Sequence, residues 1–245
     1  MKCRILSLLF ILSCLTTWAQ SGLFKQWNDM DGTLGDKPIH LSLYFSENGE
    51  IKGHYYYTDN EKKILLSGHL SGEQLQLAAT KDGKAYGTLE GKVTASDSTT
   101  YIGQWFDKSR KQNTPFHLKL SYSSGGSYEH RYEPGAPYGT DQDVEAFVVA
   151  LKKAIASGDK LWLADRVIYP FRQRVGSERI VYKNKPEFIS KYDQIVSPAV
   201  VEKVKQQSGI DLYCNWQGVQ FGGVWFRNSP NSTPKLYDFQ IISIQ

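Results

Sequence analysis

The chain is poor in cysteine and in long apolar runs. Of its 245 residues only three are cysteine, and two of these, Cys3 and Cys14, lie in the first 19 residues, a stretch that reads as a removable leader. A chain without that leader keeps only Cys214, so no internal disulfide can form. An exported protein of this kind must be held by its apolar cores, and roughly 225 residues are enough for two small ones. No apolar run reaches the roughly 20 residues that span a bilayer as a helix. Charge of one sign is also scarce: 29 Lys and Arg stand against 25 acids, and the leader takes Lys2 and Arg4 with it. Such a small surplus, spread without clusters, does not track phosphates, so nucleic acid is not an expected partner. There is no phosphate-binding glycine loop and no HExxH motif, and Gly222-Gly223 reads as a bend or bulge. No cofactor is implied. Histidine is missing from residues 141–245, which removes the usual base for a Ser or Cys nucleophile there.

What is present begins with the leader. Lys2 and Arg4 form a positive n-region, Ile5 to Leu15 is an apolar core of signal-peptide length, and Thr17-Trp18-Ala19 offers small residues at the two positions a signal peptidase reads. Residues 1–19 are therefore expected to be removed, giving a periplasmic or secreted protein. The rival reading takes Leu12-Ser13-Cys14 as a lipobox, with the protein anchored through a lipid on Cys14.

From Ile39 to Tyr122 short runs of period two alternate with turn chemistry. In IHLSLYF, Ile39, Leu41, Leu43 and Phe45 share one face; in FHLKLSY, Phe116, Leu118, Leu120 and Tyr122 do. The connections, such as Glu47-Asn48-Gly49-Glu50 and Lys81-Asp82-Gly83-Lys84, are rich in residues that tolerate positive φ. Seven hairpin-linked strands, eight with Phe24 to Met30, hide their edges best by curling, so residues 20–122 are expected to form an antiparallel β-meander or small barrel. Gly53, Gly68, Gly87, Gly91 and Gly103 fall inside strands, as bends or close approaches require. In architecture only, this half resembles avidin-like and lipocalin-like meanders. His40, His54, His69 and His117 all fall on the polar phase. Simple register sets His54 opposite Ser42 with His40 and His69 on its diagonals, near enough to share a metal; the alternative is ordinary decoration of a wet face, favoured because no carboxylate or cysteine joins at ligand spacing.

Residues 123–140, rich in Gly, Ser and Pro and without a hydrophobic period, read as a linker. Asp141 then opens a helix with an apolar stripe of Val144, Phe147, Val148, Leu151 and Ile155, ended by Gly158. A second helix is expected from Asp159 through Ile168, then an extended stretch at Tyr169 to Arg172 and a strand at Arg179 to Tyr182. Asn184 with Glu187 makes a capping box for a helix burying Phe188, Ile189, Tyr192, Ile195 and Val196. Ser197-Pro198 opens another through Gln207, and strands follow at Asp211 to Gln217, Val219 to Phe226 and Leu236 to Ile244. Residues 141–245 are thus an α+β domain.

This ordering, with the strings GDKLWLADRVIYPF, NKPEFISKYDQIVSP and LYCNWQGVQFGGVWF, resembles the nuclear-transport-factor-2-like (NTF2-like) cone fold of uncharacterised exported bacterial proteins. The resemblance implies a pocket between helices and bent sheet. Such cones host isomerases, dehydratases, hydrolases and pure binding modules.

Five residues are candidates for chemistry there. Asp165 shares a helical face with Leu161 and Ile168; if that face is internal, burial raises its pKa into the range a general acid or base needs. Arg172 is its expected partner, and Tyr169, Tyr192 and Asp193 supply hydrogen bonds to polarise a carbonyl or place a water. The structural alternative is an ion pair of Asp165 with Arg172 or Arg166 at the surface, with both tyrosines in the core. Cys214 shares an apolar phase with Leu212 and Trp216, as a small buried hydrophobe does. Tyr44, Tyr56, Tyr122, Tyr128, Tyr132 and Tyr138 are expected at the surface, either suited to protein or carbohydrate contact or as ordinary barrel decoration. The leading expectation is a non-enzymatic exported binding or interaction protein whose C-terminal pocket takes a small molecule, a peptide or an envelope component. An acid/base enzyme and a cell-envelope structural or inhibitor-like protein are the alternatives.

Overall fold

The computed structural model describes residues 21–95, 98–230 and 237–245. The leader and Cys14 lie outside the described residues. Two compact units divide the chain, with the boundary between Ser123 and Ser124.

The first unit is a closed barrel of eight antiparallel strands, each paired with the next in sequence. They are β1 (Trp27–Leu34), β2 (Lys37–Phe45), β3 (Glu50–Tyr57), β4 (Ile64–Ser71), β5 (Gln74–Lys81), β6 (Lys84–Ala95), β7 (Thr99–Asp107) and β8 (Asn113–Ser124). Alternation builds it: Ile39, Leu41, Leu43 and Phe45 point inward with Met30, Leu77, Leu89 and Phe116, all of them buried. Eight strands enclose room for packed side chains or for one small ligand, and here the inward-facing residues form one buried hydrophobic cluster. Side chains also cross-link the closing strands, with Ser123 Oγ donating to Asn28 Oδ1 at 2.9 Å. Close approach explains the paired glycines of β6 and β7: Gly91 lies opposite Gly103, and a Cβ on Gly103 would stand 2.0 Å from Glu90 O. The first strand starts later than the expected Phe24; Phe24 makes only an isolated bridge to Phe45.

The second unit is α+β. Its helices are α1 (Asp141–Ser157), α2 (Lys160–Ala164), α3 (Lys185–Ser190), α4 (Tyr192–Ile195) and α5 (Pro198–Gln206). A two-stranded sheet pairs β9 (Phe171–Val175) with β10 (Glu178–Tyr182), and a four-stranded antiparallel sheet runs β11 (Cys214–Asn215), β12 (Gly218–Phe221), β13 (Val224–Pro230), β14 (Tyr237–Ile244). The expected stripe of α1 is buried in full. Around it pack Phe171, Phe188, Phe221 and Phe226. No helix among the described residues is long and apolar enough to cross a membrane.

Several elements differ from expectation for local reasons. Residues 124–140 do not form a linker: Tyr132 and Ala136 are fully buried in the second unit's core, and Asp141 Oδ2 accepts from Arg131 N at 3.0 Å. Helix α2 stops at Ala164 because the following backbone pairs with β14, Ile241 N donating to Arg166 O at 2.7 Å and Ile168 N to Ile241 O at 3.1 Å. The expected strand Val219 to Phe226 is two strands, because Gly222 and Gly223, with φ of 57° and 84°, make a hairpin turn. Thr140 and Asp143 form a full capping box on α1, whereas Ser197 makes no side-chain cap and α5 opens on Pro198 alone. Asn184 caps α3 as expected, but the Glu187 carboxylate accepts from Lys183 N, one residue before the cap.

Candidate functional site

The second unit carries a groove of about 510 Å³ lined by the C-terminal turn of α1 (Ile155, Ala156, Ser157, Gly158), by Tyr192 and Asp193 of α4, and by Val196, Pro198 and Val201. Local sequence makes it. Gly158 takes the left-handed conformation, with φ of 66°, and ends α1. Asp159 then caps α2 by accepting from Trp162 N, which sets Lys160 at the start of that helix. Tyr192 is turned into the core beside Phe188, ring centroids 6.4 Å apart, and is only 4% exposed. Its hydroxyl is buried and makes no hydrogen bond. Burial, then the nearby carboxylates of Asp193 and Asp159, pushes the phenol above its ordinary pKa. Lys160 Nζ lies 5.1 Å from the Tyr192 ring centroid and 3.1 Å from Asp193 Oδ2.

The sequence candidates do not gather into one constellation. Tyr192 and Asp193 line the groove, but Asp165, Tyr169 and Arg172 do not. Asp165 is exposed rather than internal, and its carboxylate is paired with Lys185; it caps the short α2, so the face it was expected to share is not a buried one. Leu161, the residue expected beside it in the interior, is 59% exposed. Tyr169 donates its hydroxyl to Ala164 O at 3.0 Å, and burial followed by the Asp165 charge pushes its pKa up to about 12. Arg172 is exposed, its guanidinium donating to Pro170 O at 3.4 Å. An acid/base pair of Asp165 and Arg172 is therefore absent from the hydrogen bonds and ion pairs found among the described residues.

Two of the four barrel histidines, His69 and His117, are exposed as a wet face requires, and the other two are not. His54 does lie opposite Ser42, but His40 and His54 are buried, together with Ser42, Asp29 and Tyr56. The missing carboxylates are present after all. His40 Nδ1 stands 2.8 Å from Asp31 Oδ1, and its Nε2 stands 3.3 Å from Asp29 Oδ1. Burial alone would lower the His40 pKa, but the hydrogen bonds and charges of the two aspartates outweigh it and raise it to about 9. His40 is thus an imidazolium clamped by carboxylates. Its ring and that of His54 both stack on Tyr56, at 5.2 and 6.3 Å. His69 sits away from them, opposite Glu50 and Gln76, and no group of three or more His, Cys, Asp or Glu among the described residues is arranged to hold a metal ion.

Sequence reasoning missed a polar cluster in the second unit. His130 Nδ1 lies 2.8 Å from Asp141 Oδ1, the buried Arg131 lies 4.0 Å from the buried Asp211, and Tyr132 Oη accepts from Leu212 N at 3.3 Å. The unit therefore does contain a histidine, drawn in from the segment read as a linker. Its signal was the acid at the first position of α1, which brackets both the helix N-terminus and the preceding backbone. Cys214 is no nucleophile for it: burial pushes the thiol up to about 12. Tyr56 and Tyr132, expected at the surface, are buried, and Trp216, expected inward with Cys214, is 82% exposed, because β11 ends at Asn215 and Trp216 sits in the turn that follows.

Compared with models of known protein families and with curated protein sequences, the chain matches none.

Proposed function

We propose that this chain is an exported, non-catalytic binding protein, a small barrel followed by an NTF2-like unit, and that its ligand seat is the groove between the end of α1, α4 and α5. The observation that carries the reading is Tyr192: a core tyrosine lining a 510 Å³ groove with a buried hydroxyl left without a partner. Buried polar groups are nearly always paired, and the exceptions tend to mark functional positions. A groove of that size, apolar along Ile155, Val196 and Val201 with few polar groups at its edge, has the make-up of a small-ligand site. The acid/base alternative finds less support, since the Asp165 carboxylate is exposed and held by Lys185 and the Tyr169 hydroxyl is committed to a backbone carbonyl. The leader argues for export, and expression of the full chain in a bacterial host tests it: mass spectrometry of the exported protein should find Gln20 at the N-terminus.

A methyl-resolved NMR screen of the mature chain tests the ligand seat. Binders should shift the Ile155, Val196 and Val201 methyls, and Val201→Asp should abolish those shifts. Binders that shift only other methyls, or turnover of an ester or epoxide library that is lost in Asp165→Asn, would overturn the reading.

A further inference from the structure

We infer that the groove selects a ligand bearing an ammonium group on an apolar chain, and that Lys160 holds the cation position for which that ammonium competes. The inference rests on the groove being a binding site and adds the chemistry of what it binds. Three features of the groove point the same way. The last turn of α1 forms one wall and carries no basic residue, so the partial negative charge of a helix C-terminus faces the groove without a side-chain cation. Of the two lysines one turn back, Lys152 is tied to Gln207 O at 3.1 Å, and Lys153 is exposed to solvent. Asp193 places an 84% exposed carboxylate at the rim. The Tyr192 ring offers its π face beside that carboxylate, and a cation within about 6 Å of a ring centroid is attracted to it.

Lys160 shows that this arrangement holds an ammonium, because its own sits there: 5.1 Å from the ring centroid and 3.1 Å from the Asp193 carboxylate. The Lys160 and Asp193 side chains are 41% and 84% exposed, so the contact is the kind that mobile surface charges make and break easily. A ligand ammonium with a short alkyl chain makes the same two contacts and adds what Lys160 does not supply, an apolar chain laid along Val196, Pro198 and Val201. A carboxylate in its place meets Asp193, Asp159 and the helix end, all of the same sign. A neutral alcohol gains only the apolar contacts.

Three probes of one chain length separate these cases: n-octylammonium, octanoate and 1-octanol, titrated below micelle formation into the mature chain and followed by calorimetry and methyl NMR. Octylammonium should bind about 10-fold tighter than the other two, Asp193→Asn should weaken it about 3- to 10-fold, and Lys160→Met should tighten it by a similar factor. Tightening on loss of a lysine is the result a merely structural ion pair does not give. The inference is overturned if octanoate or octanol binds in the groove as tightly as octylammonium, or if Lys160→Met leaves affinity unchanged or weakens it. If none of the three probes moves the Ile155 or Val201 methyls, the groove itself fails as a binding site, a separate outcome from loss of selectivity.

Discussion

His40 and Asp31 meet at 2.8 Å across the β1–β2 pair of the barrel, and with Asp29 on the other ring nitrogen they turn a histidine into a fixed cation. The consequence for stability has a definite sign. The folded pKa of about 9 lies above the ordinary histidine value, so the clamp's contribution is full below about pH 6.5 and is lost as pH rises through about 9. Its size is on the order of 1–3 kcal/mol. The Asp31 carboxyl works in the opposite direction. The bonds from His40 and Ser121 outweigh burial and hold it below its ordinary pKa, so its share is present above the ordinary carboxylate range and fades as pH falls through the lowered value. Urea unfolding of the barrel should show a midpoint that drops between pH 7 and 10 in the wild type. His40→Leu should flatten that drop and cost roughly 3 kcal/mol at pH 7, because two carboxylates lose their cation. A midpoint in the variant that still falls with the wild-type slope would show that His40 is not the titrating group.

The barrel was legible because alternation is local: each strand of IHLSLYF type declares its buried face, and a short polar turn between two such strands leaves antiparallel pairing as the simplest partner choice. The stripe of α1 was legible for the same reason at period 3.6. What failed depended on partners distant in sequence. Nothing near Tyr132 announces that Leu212 N will bond its hydroxyl. Nothing near Asp165 says that its short helix will end where Ile241 takes the next backbone groups. The carboxylates around His40 come from the neighbouring strand, whose register was not fixed by a run of apolar residues. In the groove, Tyr192 was readable as a buried residue on its helix stripe; its unpaired hydroxyl and the lysine over its ring were not, because both depend on how α1, α2 and α4 come together.

The segment before α1 offers a direct test of that difference. If residues 124–140 were a tether, Tyr132→Ala would change stability by about 0.5 kcal/mol or less. With Tyr132 fully buried and its hydroxyl bonded to Leu212 N, truncation removes a large aromatic from the second unit's core, and a loss of about 3–5 kcal/mol is expected. Tyr132→Phe, which keeps the ring and deletes only the hydroxyl, should cost about 1 kcal/mol. Chemical denaturation followed by far-UV circular dichroism resolves both values, and a neutral Tyr132→Ala would return the segment to a tether.

Trp216 tests the opposite case, a large apolar residue that the alternation of its strand assigns to the interior. At 82% exposed, it sits in a turn fixed by Asn215, whose side-chain oxygen accepts from Gln217 N at 2.8 Å. Trp216→Ala should therefore shift stability by no more than about 0.5 kcal/mol, while Asn215→Ala, which removes the turn's hydrogen bond, should cost about 1 kcal/mol. The ordering of the two is what matters: a loss of about 3 kcal/mol for Trp216→Ala would place the indole in the core.

Cys214 supplies a probe of the whole second unit. It is buried, its Sγ donates to Tyr132 O at 3.5 Å, and its backbone N donates to Ser124 Oγ at 3.1 Å. Burial pushes the thiol up to about 12, so at pH 8 the reactive thiolate is nearly absent and a reagent has no path to it while the unit is closed. In a chain beginning at Gln20, the single thiol should label on the order of 10³ times more slowly in native buffer than in denaturant. The residual native rate should follow the opening of the unit, so Tyr132→Ala, which loosens the same core, should accelerate labelling while His40→Leu in the barrel should leave it unchanged. Rapid native labelling would mean an exposed thiol, and equal acceleration by both substitutions would mean that the two units open as one.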